Sequence, residues 1–127
     1  MPQTEKQKTG TWGEEYSASF LILKGYEIIG KNFSIPKIGE IDIIAYHDKP
    51  HFGKTLCFVE VKTRGEDDGS AERAVGKSKM KRFLQTAHIY CMERKIDIDR
   101  TPIQFEQISI YRVGGAISCH HYEIPVE

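Results

Sequence analysis

Along the first part of the chain the spacing of apolar residues changes period. Trp12, Tyr16, Phe20 and Leu23 recur at helical intervals, which gathers them on one face of an α-helix. Thr11 and Glu14 have capping-box spacing at its start, and Gly25 after Lys24 suits a C-terminal stop. Residues 1–9 are polar and predict a flexible tail, leaving 10–127 as one domain. The stretch "YEIIGKNF" predicts a short strand. In "GEIDIIAYH", residues 39–47, Ile41, Ile43 and Ala45 alternate with Glu40, Asp42, Ile44 and Tyr46. That period of two predicts a strand with one mainly apolar side.

"DKPHFGK" carries Pro and Gly and is expected to turn the chain back into a third strand, "TLCFVEVKTR". "GEDDGS" follows, acidic and glycine-containing, with the composition of a mobile loop. Met80, Phe83, Leu84, Ala87 and Cys91 form the stripe of a second helix, Ser78 to Arg94, with Ser78 as its cap. "IDIDRTP" ends it. "IQFEQISIYR", the turn "VGG" and "AISCHHYEI" read as two further strands. The order α-β-β-β-α-β-β predicts an α/β fold with a mixed central sheet flanked by helices.

One strand breaks its own pattern. "LCFVEVKTR" is apolar enough to be buried, yet Glu60 and Lys62 stand within it, two residues apart. Residues so spaced share a face, with Cα atoms about 6.6 Å apart. Glu60 and Lys62 therefore project together beside Phe58, while Val59 and Val61 face the other layer. Asp42, on the preceding strand, comes next to Glu60 if the register matches. Two close carboxylates repel unless a proton or cation is shared between them. Mg²⁺ or Mn²⁺ held by Asp42 and Glu60 resolves the conflict, with Lys62 beside the bound water or the developing phosphate charge. Glu14, near the helix start, is within reach as a supporting group. The rival reading is a structural ion pair on an edge strand.

Charge adds less. Lys plus Arg and Asp plus Glu balance at 18 each, so any attraction for nucleic acid must come from local clustering. "KSKMKR" supplies such a cluster: Lys77, Lys79, Lys81 and Arg82, with Arg73 nearby and Arg64 at the strand's end. Near a phosphodiester site these side chains would contact phosphates without reading sequence. The polar N-terminus lacks a signal-peptide pattern and no apolar run has membrane-spanning length. Three separated cysteines offer no disulfide framework. A reduced, cytoplasmic protein without a membrane partner is the expectation. Cys119, His120 and His121 are consecutive on a strand, so neighbours point to opposite faces and chelate zinc poorly.

Asp42, Glu60 and Lys62 in "GEID…FVEVK", after a helix bearing "GEE", resemble the signature of the restriction-endonuclease-like (PD-(D/E)xK) superfamily. Within it the chain is similar to the YraN-like family of Holliday-junction-resolvase-like proteins. The matching residues are Gly13-Glu14, Gly25-Tyr26 with Asn32, Gly39 to Ile44, Phe58 to Arg64, and Ala74-Val75 with Lys79. Ile41 stands where the generic signature has proline, and Phe33-Ser34 where relatives often have Trp-Arg. The resemblance implies a restriction-endonuclease-like core and a metal-dependent endonuclease acting on DNA, branched DNA included. Glu14, Asp42, Glu60 and Lys62 would be its catalytic residues; homodimerisation stays open. A non-catalytic nucleic-acid-binding module with the same fold is the alternative.

Overall fold

The computed structural model describes residues 2–65 and 77–126. Arg73, Ala74, Val75 and the rest of the acidic stretch after Gly65 lie outside the described residues, as does the Lys77 side chain. The elements are α1 (Glu5–Leu23), β1 (Glu27–Ile35), β2 (Gly39–Lys49), β3 (Gly53–Arg64), α2 (Lys77–Glu93), β4 (Ile103–Val113) and β5 (Ala116–Glu123).

Two helix starts differ from expectation. The capping box of α1 is Thr4 with Gln7: Thr4 Oγ1 accepts from Gln7 N at 3.1 Å, and Gln7 Oε1 accepts from Thr4 N at 2.9 Å. Residues 5–9, predicted as tail, therefore belong to the helix, and Thr11 and Glu14 lie inside it. The apolar stripe begins later because only the later turns reach the core; the first are held by the cap. Similarly, Ser78 sits within α2 rather than capping it. The stop at Gly25 holds. Its backbone is left-handed (φ 91°), and Tyr26 N donates to Leu21 O at 3.0 Å, closing the helix end.

The five strands form one mixed sheet in the order β1-β2-β3-β4-β5. β3 and β4 are parallel and every other pair is antiparallel. A parallel pair needs a crossover connection, and α2 lies on it. Each helix covers one face. Under α1, Ala18 and Leu21 pack on Ile43, Ala45, Cys57, Val59, Ile108 and Ile110. Under α2, Phe83, Ala87, Tyr90 and Cys91 pack on Ile41, Ile44, Leu56 and Phe58. Phe58 and Val59 thus face opposite layers, as the alternation required.

β2 departs from its expected one-sided pattern. Ile44 is fully buried under α2, and Ile41 lies on that face although Ile43 and Ala45 lie under α1. Alternation is broken at Asp42. The ladder with β3 runs from Lys49↔Gly53 to Ile43↔Val59 and stops there. Beyond it the Asp42 carboxylate takes the next backbone donor, accepting from Val61 N at 2.7 Å. A side chain in place of a ladder bond ends the β2–β3 pairing at this end of the sheet.

A buried polar network sits lower in the α1 layer. Glu106, 1% exposed, accepts from Tyr26 Oη at 2.8 Å and Gln104 Nε2 at 2.9 Å, and pairs with Lys49 Nζ at 2.9 Å. His121 Nε2 lies 2.7 Å from it, while Lys24 Nζ lies 2.9 Å from His121 Nδ1. An ammonium can only donate, so Nδ1 accepts and Nε2–H donates to Glu106. Burial pushes Glu106 up, but the bonds from His121, Lys49 and Tyr26 outweigh it and hold its carboxyl down at about 2.

Candidate functional site

The cleft that opens where β2 and β3 part has a volume of about 410 Å³ and is lined by Glu40, Asp42, Glu60, Lys62, Lys79 and Arg82 among others. α1 reaches it because it lies tight on β3: a Cβ on Gly13 would overlap Thr63 Oγ1. That close approach delivers Glu14 to the sheet end. Across the sheet, α2 comes down on the start of β2, where Gly39 leaves room for Thr86 and the Arg82 carbonyl.

Three carboxylates converge. Glu14, Glu40 and Asp42 each bring an oxygen within 4.8 Å of the other two. Burial raises the Asp42 carboxyl first, and the Glu60, Glu14 and Glu40 charges raise it further; the Val61 N–H only partly offsets them, leaving it at about 8. Glu14 is also raised by burial and by Glu40 and Glu60, although a hydrogen bond from Asn32 opposes the shift. Asn32 itself holds left-handed backbone, φ 53°, inside β1, a conformation that asparagine tolerates better than most residues. These groups are electrostatically unsatisfied at neutral pH, and a divalent cation with oxygen ligands fits them. Mg²⁺ is held by one or two carboxylates with water completing its octahedron.

Glu60 lines the same cleft but is engaged differently. Its Oε1 lies 3.0 Å from Lys62 Nζ and 3.0 Å from Lys79 Nζ. The Glu60 side chain is 8% exposed, against 21% for Lys62 and 38% for Lys79. The two ammoniums compete for one oxygen. Burial lowers both, but contacts with Lys79 and Glu60 leave Lys62 raised, whereas burial and Lys62 leave Lys79 lowered. Lys62 is thus the more firmly protonated of the two.

Of the sequence-predicted residues, Glu14, Asp42, Glu60, Lys62, Lys79 and Arg82 surround this sheet end. Asp42 lies close enough to Glu60 to feel its charge, as the strand pairing predicted, and it also groups with Glu14 and Glu40. Glu60 is paired in addition with Lys62 and with Lys79 from α2. Arg64 sits beyond the cleft, its Nη1 donating to Thr63 O at 3.0 Å, and Lys81 is exposed and does not line the cleft. Sequence reasoning missed Glu40 and the hold of Asn32 on Glu14. Glu40 carried a signal, since it stands two residues before Asp42 on one strand.

Among the described residues no helix is long and apolar enough to cross a membrane. Residues 13–110 match the model of a family described as "Uncharacterised protein family UPF0102". A UPF0102 protein of Syntrophotalea carbinolica is 35% identical over 119 residues, 93% of this chain and 90% of the relative. One from Prosthecochloris aestuarii is 42% identical over 107 residues, 83% and 77% of the two chains. Another, from Caldanaerobacter subterraneus, is 38% identical over 126 residues, 93% and 98%.

Proposed function

The chain belongs to the UPF0102 family, and from the chemistry of its cleft we propose a metal-dependent endonuclease with a restriction-endonuclease-like core, acting on DNA phosphodiester bonds. The observation that carries this reading is the convergence of Glu14, Glu40 and Asp42 beside a charged Lys62. A half-buried carboxyl that stays protonated near neutrality without a cation is a poor structural element and a good ligand. Asp42 and its two partners would hold Mg²⁺ or Mn²⁺. When bound, the cation would lower the pKa of a ligated water and polarise the phosphodiester. Asp42 is oriented by the Val61 N–H and Glu14 by Asn32. Lys62, fixed against Glu60, offers a permanent positive charge where the pentacovalent phosphate gains negative charge. Arg82, and Lys79 when released from Glu60, would meet the flanking phosphates.

The test is cleavage of a four-way junction, a flap and a linear duplex with Mn²⁺. Wild type should nick at least the branched substrates, EDTA should abolish nicking, and Asp42→Asn and Lys62→Met should each lose about 100-fold or more. Activity retained by Asp42→Asn, or none on any substrate, would overturn the reading.

One observation favours a second reading. Glu60, a central acid of the superfamily signature, has its charge balanced within the chain by Lys62 and Lys79. A module that binds nucleic acid without turnover needs no cation there. It would bind the same substrates equally in EDTA and Mn²⁺ while leaving them intact.

A further inference from the structure

Where α1 crosses β3 at Gly13, the helix divides the end of the sheet. Glu14 turns towards β1 and β2, and Trp12 towards β4 and β5. From the acidic cleft the surface continues along Val61, Lys62, Thr63 and Arg64, a run of about 10 Å on one strand. It then opens into a groove of about 620 Å³ bordered by Trp12, Arg64, Arg112 and Ile117. No carboxylate is among the described residues lining that groove.

Its floor is unusual in its build. The Arg112 guanidinium carbon lies 4.4 Å from the Trp12 ring centroid. Trp12 also packs on Tyr16, centroids 5.3 Å apart, and on the core under α1. The indole is therefore fixed from behind, and it backs a planar cation on an exposed residue. A guanidinium so held loses little freedom when a second flat group stacks on its outer side.

We propose that this groove binds the unpaired continuation of the substrate strand. A nucleobase stacks on the outer face of Arg112, and the adjoining phosphate accepts from Arg64. Bases inside a duplex already stack on both neighbours and cannot use the platform; unpaired bases stack readily on aromatic rings and guanidinium planes. The substrate class this selects is a nucleic acid with a single-stranded arm next to the cleaved bond. The inference rests on the nucleic-acid reading of the cleft but not on turnover.

Trp12 is the one tryptophan in the chain, so its emission reports on this groove alone. The full chain is titrated in EDTA at low salt with dT12, with U12 and with a blunt two-strand DNA duplex, following Trp12 emission and the anisotropy of labelled probes. Quenching by dT12 or U12 is expected. Arg112→Ala should weaken single-strand binding about ten-fold and duplex binding less than two-fold, with Arg112→Gln between; thermal melts confirm that both variants fold. Saturation by dT12 and U12 without a change in emission, equal weakening of all probes, or no binding of any would overturn it. Absence of Mn²⁺-dependent cleavage with quenching intact would overturn only the nuclease reading. Cleavage without quenching would overturn only this one.

Discussion

Asp42→Asn tests the cleft without any substrate. The replacement keeps an oxygen to accept from Val61 N and removes the charge. In the folded protein the carboxyl titrates at about 8, against an ordinary 3.8, because burial and three neighbouring carboxylates disfavour its ionised form. The folded state therefore binds more protons than the unfolded chain between those values, and stability falls as pH rises through that window. At about 1.4 kcal/mol per pH unit the ceiling is about 6 kcal/mol. Asp42 is only half-buried and neighbouring acids share the proton, which reduces the effect to about 3 kcal/mol. For a domain of this size that corresponds to about 10 °C in Tm. Melts in EDTA should show Asp42→Asn well above wild type at pH 8.5 and close to it at pH 5. Added Mn²⁺ should raise wild type and leave the variant unmoved. A variant melting at or below wild type at pH 8.5 in EDTA would mean instead that the ionised Asp42 carboxylate is satisfied by the protein itself.

Glu60→Gln should lower stability by about 2 kcal/mol in urea melts, because it leaves two nearby ammoniums without their shared carboxylate. A more stable variant would mean that repulsion with Asp42 outweighs both pairs. Gly13→Ala should cost about 1–3 kcal/mol by forcing α1 off Thr63. In a Thr63→Ala background the same change should be neutral or mildly stabilising, since alanine favours the helix; an equal cost in both backgrounds would rule the contact out. Glu106 is held down at about 2 from an ordinary 4.5, so its contribution is complete above about pH 4.5 and lost as pH falls towards 2. Glu106→Gln should remove about 3 kcal/mol at neutral pH and flatten acid unfolding between those values. An unchanged acid midpoint would count against the network.

Much of the molecule was legible because its signals are local. A helical stripe of Trp12, Tyr16 and Phe20, alternation in β2 and β3, and turn residues at Gly25 and Gly114-Gly115 lie within a few residues of one another. Leu23, expected on that stripe, is exposed at the helix end, and Leu21 is buried instead. Those local signals specify the order α-β-β-β-α-β-β and the pairing of Glu60 with Lys62 on one face. Belonging to a family was equally legible, since "GEID" and "FVEVKTR" stand as contiguous strings.

Which charges meet depends on packing. Alternation alone would keep Ile41 with Ile43, but the end of the β2–β3 ladder at Ile43↔Val59 turns Ile41 under α2 and hands the Val61 N–H to Asp42. Glu40 joins Glu14 and Asp42 only because Gly13 lets α1 touch β3. Lys79 neutralises Glu60 from a helix nineteen positions later, and Arg112 covers Trp12 from a strand a hundred positions away. Periodicity records which side of its own element a residue occupies. The partner across a gap depends on register and on how closely two elements approach, and those are settled by packing the whole core at once.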